Sequence, residues 1–160
     1  MAPVIPLTVI FFQKGAMLNA LGIRNYLVIG AGGALGSMAR FWLGDIGPVL
    51  MHSSFPWGIL WVNWLGCFVI GFFAEATGAK GLLKVEPETR NFVIVGICGG
   101  FTTFSSFSLG ALVLAHTGGA GLSLIYVLAS VLGCLLAVTL GVWLVGVSRL
   151  SAPATEDWEV

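Results

Sequence analysis

Two uncharged stretches decide the solvent of this chain before anything else is read. Gly121–Val147 contains no Asp, Glu, Lys or Arg, and neither does Asn91–Ala115. Each is long enough to meet the roughly 20 apolar residues that a helix needs to cross a bilayer. Two further runs approach that length. NYLVIGAGGALGSMA lies between Arg24 and Arg40 and continues through Phe41–Gly44, and WGILWVNWLGCFVIGFFA covers Trp57–Ala74. The pattern predicts four spans, at about 25–44, 57–77, 91–115 and 120–147. Tyr26, Trp42, Trp57 and Trp143 lie near their ends, where aromatic side chains suit the lipid–water interface. Charged residues make up 9% of the chain, against about 25% in a soluble domain. Too few polar groups remain to cover a water-facing surface, so the expectation is an all-α membrane protein with four transmembrane helices. The net charge of +0 gives no reason to expect nucleic acid as a partner.

The chain divides accordingly. Residues 1–24 form a leader, interfacial or disordered. Its apolar PVIPLTVIFF is too short and too Pro-interrupted to span, and no basic segment precedes it as in a signal peptide. Translation from Met1 and from Met17 both stay open. Residues 25–150 are the four-span unit, and 151–160 are a polar tail. Gly78–Arg90 is the clearly water-exposed loop, and His52 and His116 are expected in loops. Four spans put both termini and that loop on one side. Lys14, Arg24, Lys80, Lys84, Arg90 and Arg149 fall there, six of the seven basic residues, with Arg40 on the other side. The positive-inside rule then places the termini in the cytoplasm if the chain inserts in a single orientation.

Glycine is abundant, at 23 residues. Gly32–Gly36 and Ala137–Gly141 have the small-xxx-small spacing that lets helix backbones approach in lipid, which suggests tight bundling with another copy. The cysteines, Cys67, Cys98 and Cys134, lie in apolar runs without metal or redox spacing and read as small buried hydrophobes. No Asp or Glu lies centrally in a span; Asp45 and Glu75 sit at the ends. That argues against a proton-coupled drug or cation carrier, which relies on an ionisable group within the membrane. No phosphate-cradling loop and no nucleophile–base pair supports an enzyme.

The third span carries the unusual chemistry. Gly96–Gly110 reads GICGGFTTFSSFSLG. Gly99-Gly100 costs a helix roughly 1 kcal/mol per glycine relative to alanine, so a break is expected there. Irregular backbone at membrane depth survives only when buried in protein or lining a cavity, and its freed carbonyls can bind an ion. Phe104 and Phe107 are three apart and share a helix face, with Thr103 and Ser106 forming an adjacent stripe. Phenyl rings carry positive edges, so two of them can flank a dehydrated anion without the full charge that would hold it too tightly. Ser105, Ser106 and Ser108 add hydroxyl donors. In the second span Asn63 offers two N–H groups, either for a helix–helix bond or for a polar path. Tyr126, Ser130 and Cys134, at i, i+4 and i+8, share one face of the last span, as a donor track or as packing.

GGFTTFSSFS, with FPWGILWVNWLG and GAGGALGSMARFWLG upstream, resembles the Fluc (CrcB) family of fluoride channels, over about Tyr26 to Val147. The resemblance implies an antiparallel dual-topology dimer with a broken third helix, in the bacterial plasma membrane. It implies that Phe104 and Phe107 present ring edges to fluoride and that Asn63 is a pore asparagine. Ser105 and Ser106 would line the path, Tyr126 and Ser130 would form the track of the fourth span, and Arg40 would sit near a vestibule. Gly99 and Thr102 would give backbone carbonyls to a structural sodium ion at the dimer interface. Two departures stand out: Gly110 occupies the place of a family glutamate, and Cys134 that of a hydroxyl. The basic-residue bias also raises pairing with an oppositely inserted paralogue instead of a second copy. The implied function is passive fluoride efflux; the alternatives are a non-conducting structural membrane subunit and a small four-span cation or drug carrier.

Overall fold

The computed structural model describes residues 7–51, 55–79 and 81–150, with side-chain surroundings for 22–44, 55–79 and 81–149. The expectations for His52 and for the tail at 151–160 lie outside the described residues. Helix α1 runs Leu7–Met51, but Gly22 interrupts it at φ 59, ψ 145. That is backbone that only glycine adopts cheaply, so the chain changes direction there. The part from Gly22 to Gly44 is the first stretch long and apolar enough to cross a membrane. Helix α2, Trp57–Ala76, is the second.

The third span, Pro87–Thr117, is built in pieces. Helix α3 covers Pro87–Asn91, a π-helical segment Phe92–Cys98 follows, then α4, Gly99–Phe101, and α5, Phe104–Thr117. It begins earlier than the sequence predicts, because Pro87 occupies the first helical turn, where its fixed φ favours the helix and its missing N–H costs nothing. The connecting loop therefore ends at Glu86, and Arg90 is helical. His116 is likewise not in a loop; it lies in the last turn of α5. Gly119, at φ 85, turns the chain directly into α6, Gly119–Leu150.

Packing follows two pairings. α6 lies along α2, with parallel register: Trp64 Nε1 donates to Ala129 O at 3.2 Å, Gly71 faces the Val138 carbonyl, and Arg149 pairs with Glu75 at 2.7 Å. α1 lies along the third span. A Cβ added at Gly36 would overlap the Ile97 carbonyl oxygen, so the absent side chain sets the helix separation. Gly32 meets Phe92 and Gly96 in the same seam, and Gly141 meets Phe68 and Phe72 of α2. Gly32, Gly36 and Gly141 thus each set a helix approach within this chain. Leu60, Leu114 and Tyr126 form a fully buried cluster, walled by Phe55, Trp64, Phe107, Ala111 and Ala129. Phe41, Trp42, Leu136 and Trp143 remain largely exposed, as outward faces require when hydrocarbon is the solvent.

Candidate functional site

The third span is interrupted at Thr102 (φ −75, ψ 155) and Thr103 (φ −148, ψ 125), both extended. Gly99 and Gly100 remain helical, so the interruption lies beyond the glycine pair where it was expected. The glycines serve approach instead: a Cβ at Gly100 would overlap Gly33 of α1. What opens the helix is Asn63. Thr103 N donates to Asn63 Oδ1 at 2.8 Å, and Asn63 Nδ2 donates to Thr103 O at 3.0 Å. One buried amide side chain thereby satisfies both backbone groups of an extended residue, which would otherwise be costly to bury. Thr103 also caps α5: its Oγ1 accepts from Ser106 N at 3.2 Å and contacts Ser105 Oγ at 3.2 Å. Ser37 Oγ of α1 donates to Gly100 O at 3.4 Å, and the Thr102 methyl presses on Gly66 of α2.

The break exposes a cavity of about 360 Å³. Its polar lining comes from Asn63, Thr102, Thr103 and Ser130, its rings are Phe104 and Phe107, and Cys67 and Cys134 close one wall. Among the described residues no charged side chain lines it. The Phe104 and Phe107 centroids are 5.5 Å apart, tilted by 49°. Phe107 packs on Tyr126 at 5.5 Å, whereas Phe104 is 79% exposed on this chain. The cavity also faces the start of α5, where unpaired N–H groups concentrate partial positive charge.

The other expected residues are distributed around this centre. Arg40 and Ser106 line a second cavity of about 500 Å³ with Ser37, Phe41, Pro56 and Ile59. Tyr126 is not on the wall of the first cavity; it is fully buried in the core behind Phe107. Its hydroxyl and that of buried Ser130 have no hydrogen-bond partner beyond each other among the described residues. A Cβ at Gly110 would lie 3.3 Å from that hydroxyl, so this position packs against Tyr126. Ser105 is exposed in the first turn of α5. Ser108 is not free to serve an ion, since it donates to Phe104 O at 2.9 Å. Gly99 is exposed, with no atom near the place of a Cβ. The carbonyls of Gly99 and Thr102 lose the amides that a continuous helix would give them, since Thr103 N goes to Asn63 and Ser106 N goes to Thr103 Oγ1. Two features escaped the sequence reading. Thr103, which the pattern places in a stripe with Ser106, is the N-cap of α5, a position that threonine favours. Cys67 entered only as an apolar filler.

A family model described as CrcB-like protein, Camphor Resistance (CrcB), matches residues 27–142. A fluoride-specific ion channel FluC of Rhodospirillum rubrum is 47% identical over 117 residues, covering 73% of this chain and 91% of the relative. One from Opitutus terrae is 48% identical over 116 residues, 72% and 88% of the two chains. One from Gluconobacter oxydans is 43% identical over 143 residues, 86% and 99%. With the match running from the first span through the last, and with most of each relative covered, the chain belongs to the CrcB family, as its third-span motif led us to expect.

Proposed function

We propose that this protein is a fluoride-selective channel that carries fluoride passively out of the cytoplasm. The observation that carries the reading is the uncharged cavity beside the break, walled by the Asn63 amide, hydroxyls, two phenyl rings and the start of α5. Fluoride enters cells as HF, which crosses lipid and dissociates at neutral pH; a selective leak lets the anion return. Neutral donors replace the hydration shell and still release the ion, which a fixed cation would retain. The Asn63 amide has a second N–H beyond the one given to Thr103, and the Ser130 hydroxyl borders the same cavity. The narrow path disfavours chloride by size. Ser106 and Arg40, in the second cavity, gather the anion before the Phe104–Phe107 pair, with Ser105 beside them and Ser130 continuing the track behind, while Tyr126 backs the Phe107 ring.

The assembly we propose is a dual-topology dimer in the plasma membrane. Phe104 is too exposed on one chain to wall a path alone, and an oppositely inserted chain would cover it. The carbonyls of Gly99 and Thr102, which the break leaves without helical partners, would hold a structural sodium ion shared by the two chains; two oxygens from one chain leave the ion's shell to be completed by the other. Sodium bound to the purified protein, measured by elemental analysis, checks this: about one ion per dimer is expected, and none would remove the ion from the scheme. The basic-residue bias favours termini in the cytoplasm and a partner that is a paralogue. Topology reporters at both termini decide the partner, since equal signal from the two sides points to a second copy.

Fluoride efflux from liposomes, read with a fluoride electrode after valinomycin is added, tests the function. The wild type is expected to release fluoride and to retain chloride. Phe104→Ile is expected to slow release at least about tenfold, equivalent to about 1.4 kcal/mol of barrier. An unchanged rate would remove the phenyl pair from the path, and no release by the wild type would favour the structural-subunit reading.

A further inference from the structure

The two cysteines in the cavity wall come from different helices. Cys67 belongs to α2 and Cys134 to α6, and neither is in a disulfide. The parallel register of those helices places them opposite each other. Trp64 lies against Gly133 on one side, Gly71 lies against Val138 on the other, and Cys67 and Cys134 fall between these contacts. Both line the same cavity and both are only partly buried, so a small solute in the cavity reaches them together. Among the described residues no third cysteine, histidine or carboxylate completes a larger cage with them.

We infer that Cys67 and Cys134 form a two-thiol site for a soft, divalent, two-coordinate cation of the mercuric type. Softness follows from the ligands, since thiolates select soft metals. Coordination number follows from the pair standing alone; zinc takes four ligands in its structural sites and is poorly served by two. Charge follows from the surroundings. Binding releases one proton from each thiol, and two thiolates neutralise a +2 ion, so a neutral complex is left. A monovalent ion would leave a net negative charge in a cavity without any charged side chain, at high desolvation cost. No electron moves in this exchange. The bound metal bridges α2 to α6 at the cavity wall, one helical turn beyond Ser130.

The test uses the full-length protein in detergent with mercuric ion as the probe. Intact-mass spectrometry should show one mercury per chain with the loss of two protons. A soluble thiol competitor should strip the metal from Cys67→Ser and Cys134→Ser at about 100-fold lower concentration than from wild type, since each loses the chelate. Cys98→Ser, which alters the one cysteine that does not line the cavity, should behave as wild type. Equal retention by wild type and either cavity variant would overturn the site, and so would loss of retention in Cys98→Ser alone. Liposome efflux separates this site from the channel reading. Mercuric ion should suppress fluoride release by wild type at least about tenfold and spare Cys134→Ser. If the two-thiol complex forms while release continues at its untreated rate, the site stands and this cavity is not the fluoride path.

Discussion

Asn63→Leu should both destabilise the protein and abolish fluoride release. The substitution keeps the side chain's approximate size and removes both bonds to Thr103. Thr103 N–H is then buried without an acceptor, at about 1–3 kcal/mol, and its carbonyl loses a bond with a net value of about 1 kcal/mol. The chain has one escape. The third span can close into a continuous helix, with Thr103 N returning to Gly99 O, which recovers the hydrogen bonds. That closure turns Phe104 and Phe107 about the helix axis and out of register with Ser130. Either route ends conduction, so the efflux assay should read near background while the unfolding midpoint in detergent falls, by the equivalent of about 2–4 kcal/mol if the break is kept. Asn63→Asp separates the two bonds. An ionised carboxylate accepts from Thr103 N but cannot donate to Thr103 O and is costly to desolvate in this cavity, so this variant should also lose stability and flux. Wild-type stability and flux in the leucine variant would show that another group holds the break open.

The second large effect is expected at Gly36. Its Cβ position overlaps the Ile97 carbonyl oxygen and lies 2.9 Å from Phe101 N. Neither atom is the end of a pliable side chain; both belong to the backbone just before the break. Gly36→Ala therefore has to push α1 away from the third span, at about 1–3 kcal/mol for overpacking or more where backbone must move. The displacement also pulls on the Ser37–Gly100 bond, whose 3.4 Å length is already near the limit. A lower unfolding midpoint and a slower efflux are expected together. Gly146→Ala is the control: it lies in α6 with no atom within 4 Å of the added carbon, so helix propensity alone should raise stability by up to about 1 kcal/mol. Equal midpoints for the two variants would mean that the α1 seam is looser than its geometry indicates.

Much of the site was legible one residue at a time. Phe104, Phe107, Asn63 and Ser130 were singled out by type and helical spacing, and they do share one cavity. Spacing along a helix says which residues share a face, and that was enough for Phe104 with Phe107. It says nothing about depth. Tyr126 and Ser130 are one turn apart on α6, yet Ser130 reaches the cavity and Tyr126 is sealed behind Phe107. Arg40 and Ser106 could not be paired from sequence either, since 66 positions separate them and only the packing of α1 on the third span joins them at one cavity.

Hydropathy alone settled the solvent and the number of spans. These follow from transfer free energy, which sums over local residues and needs no partner. The position of the break did not follow. Two adjacent glycines mark where a helix is weak, but the helix opens where another element offers to satisfy its backbone, and that is Thr103 facing Asn63. The Cys67–Cys134 wall has the same origin, in the register of α2 on α6. In hydrocarbon every backbone polar group must find a partner inside the protein, so the identity of that partner, 40 residues away in sequence, is a property of the packed bundle and of nothing shorter.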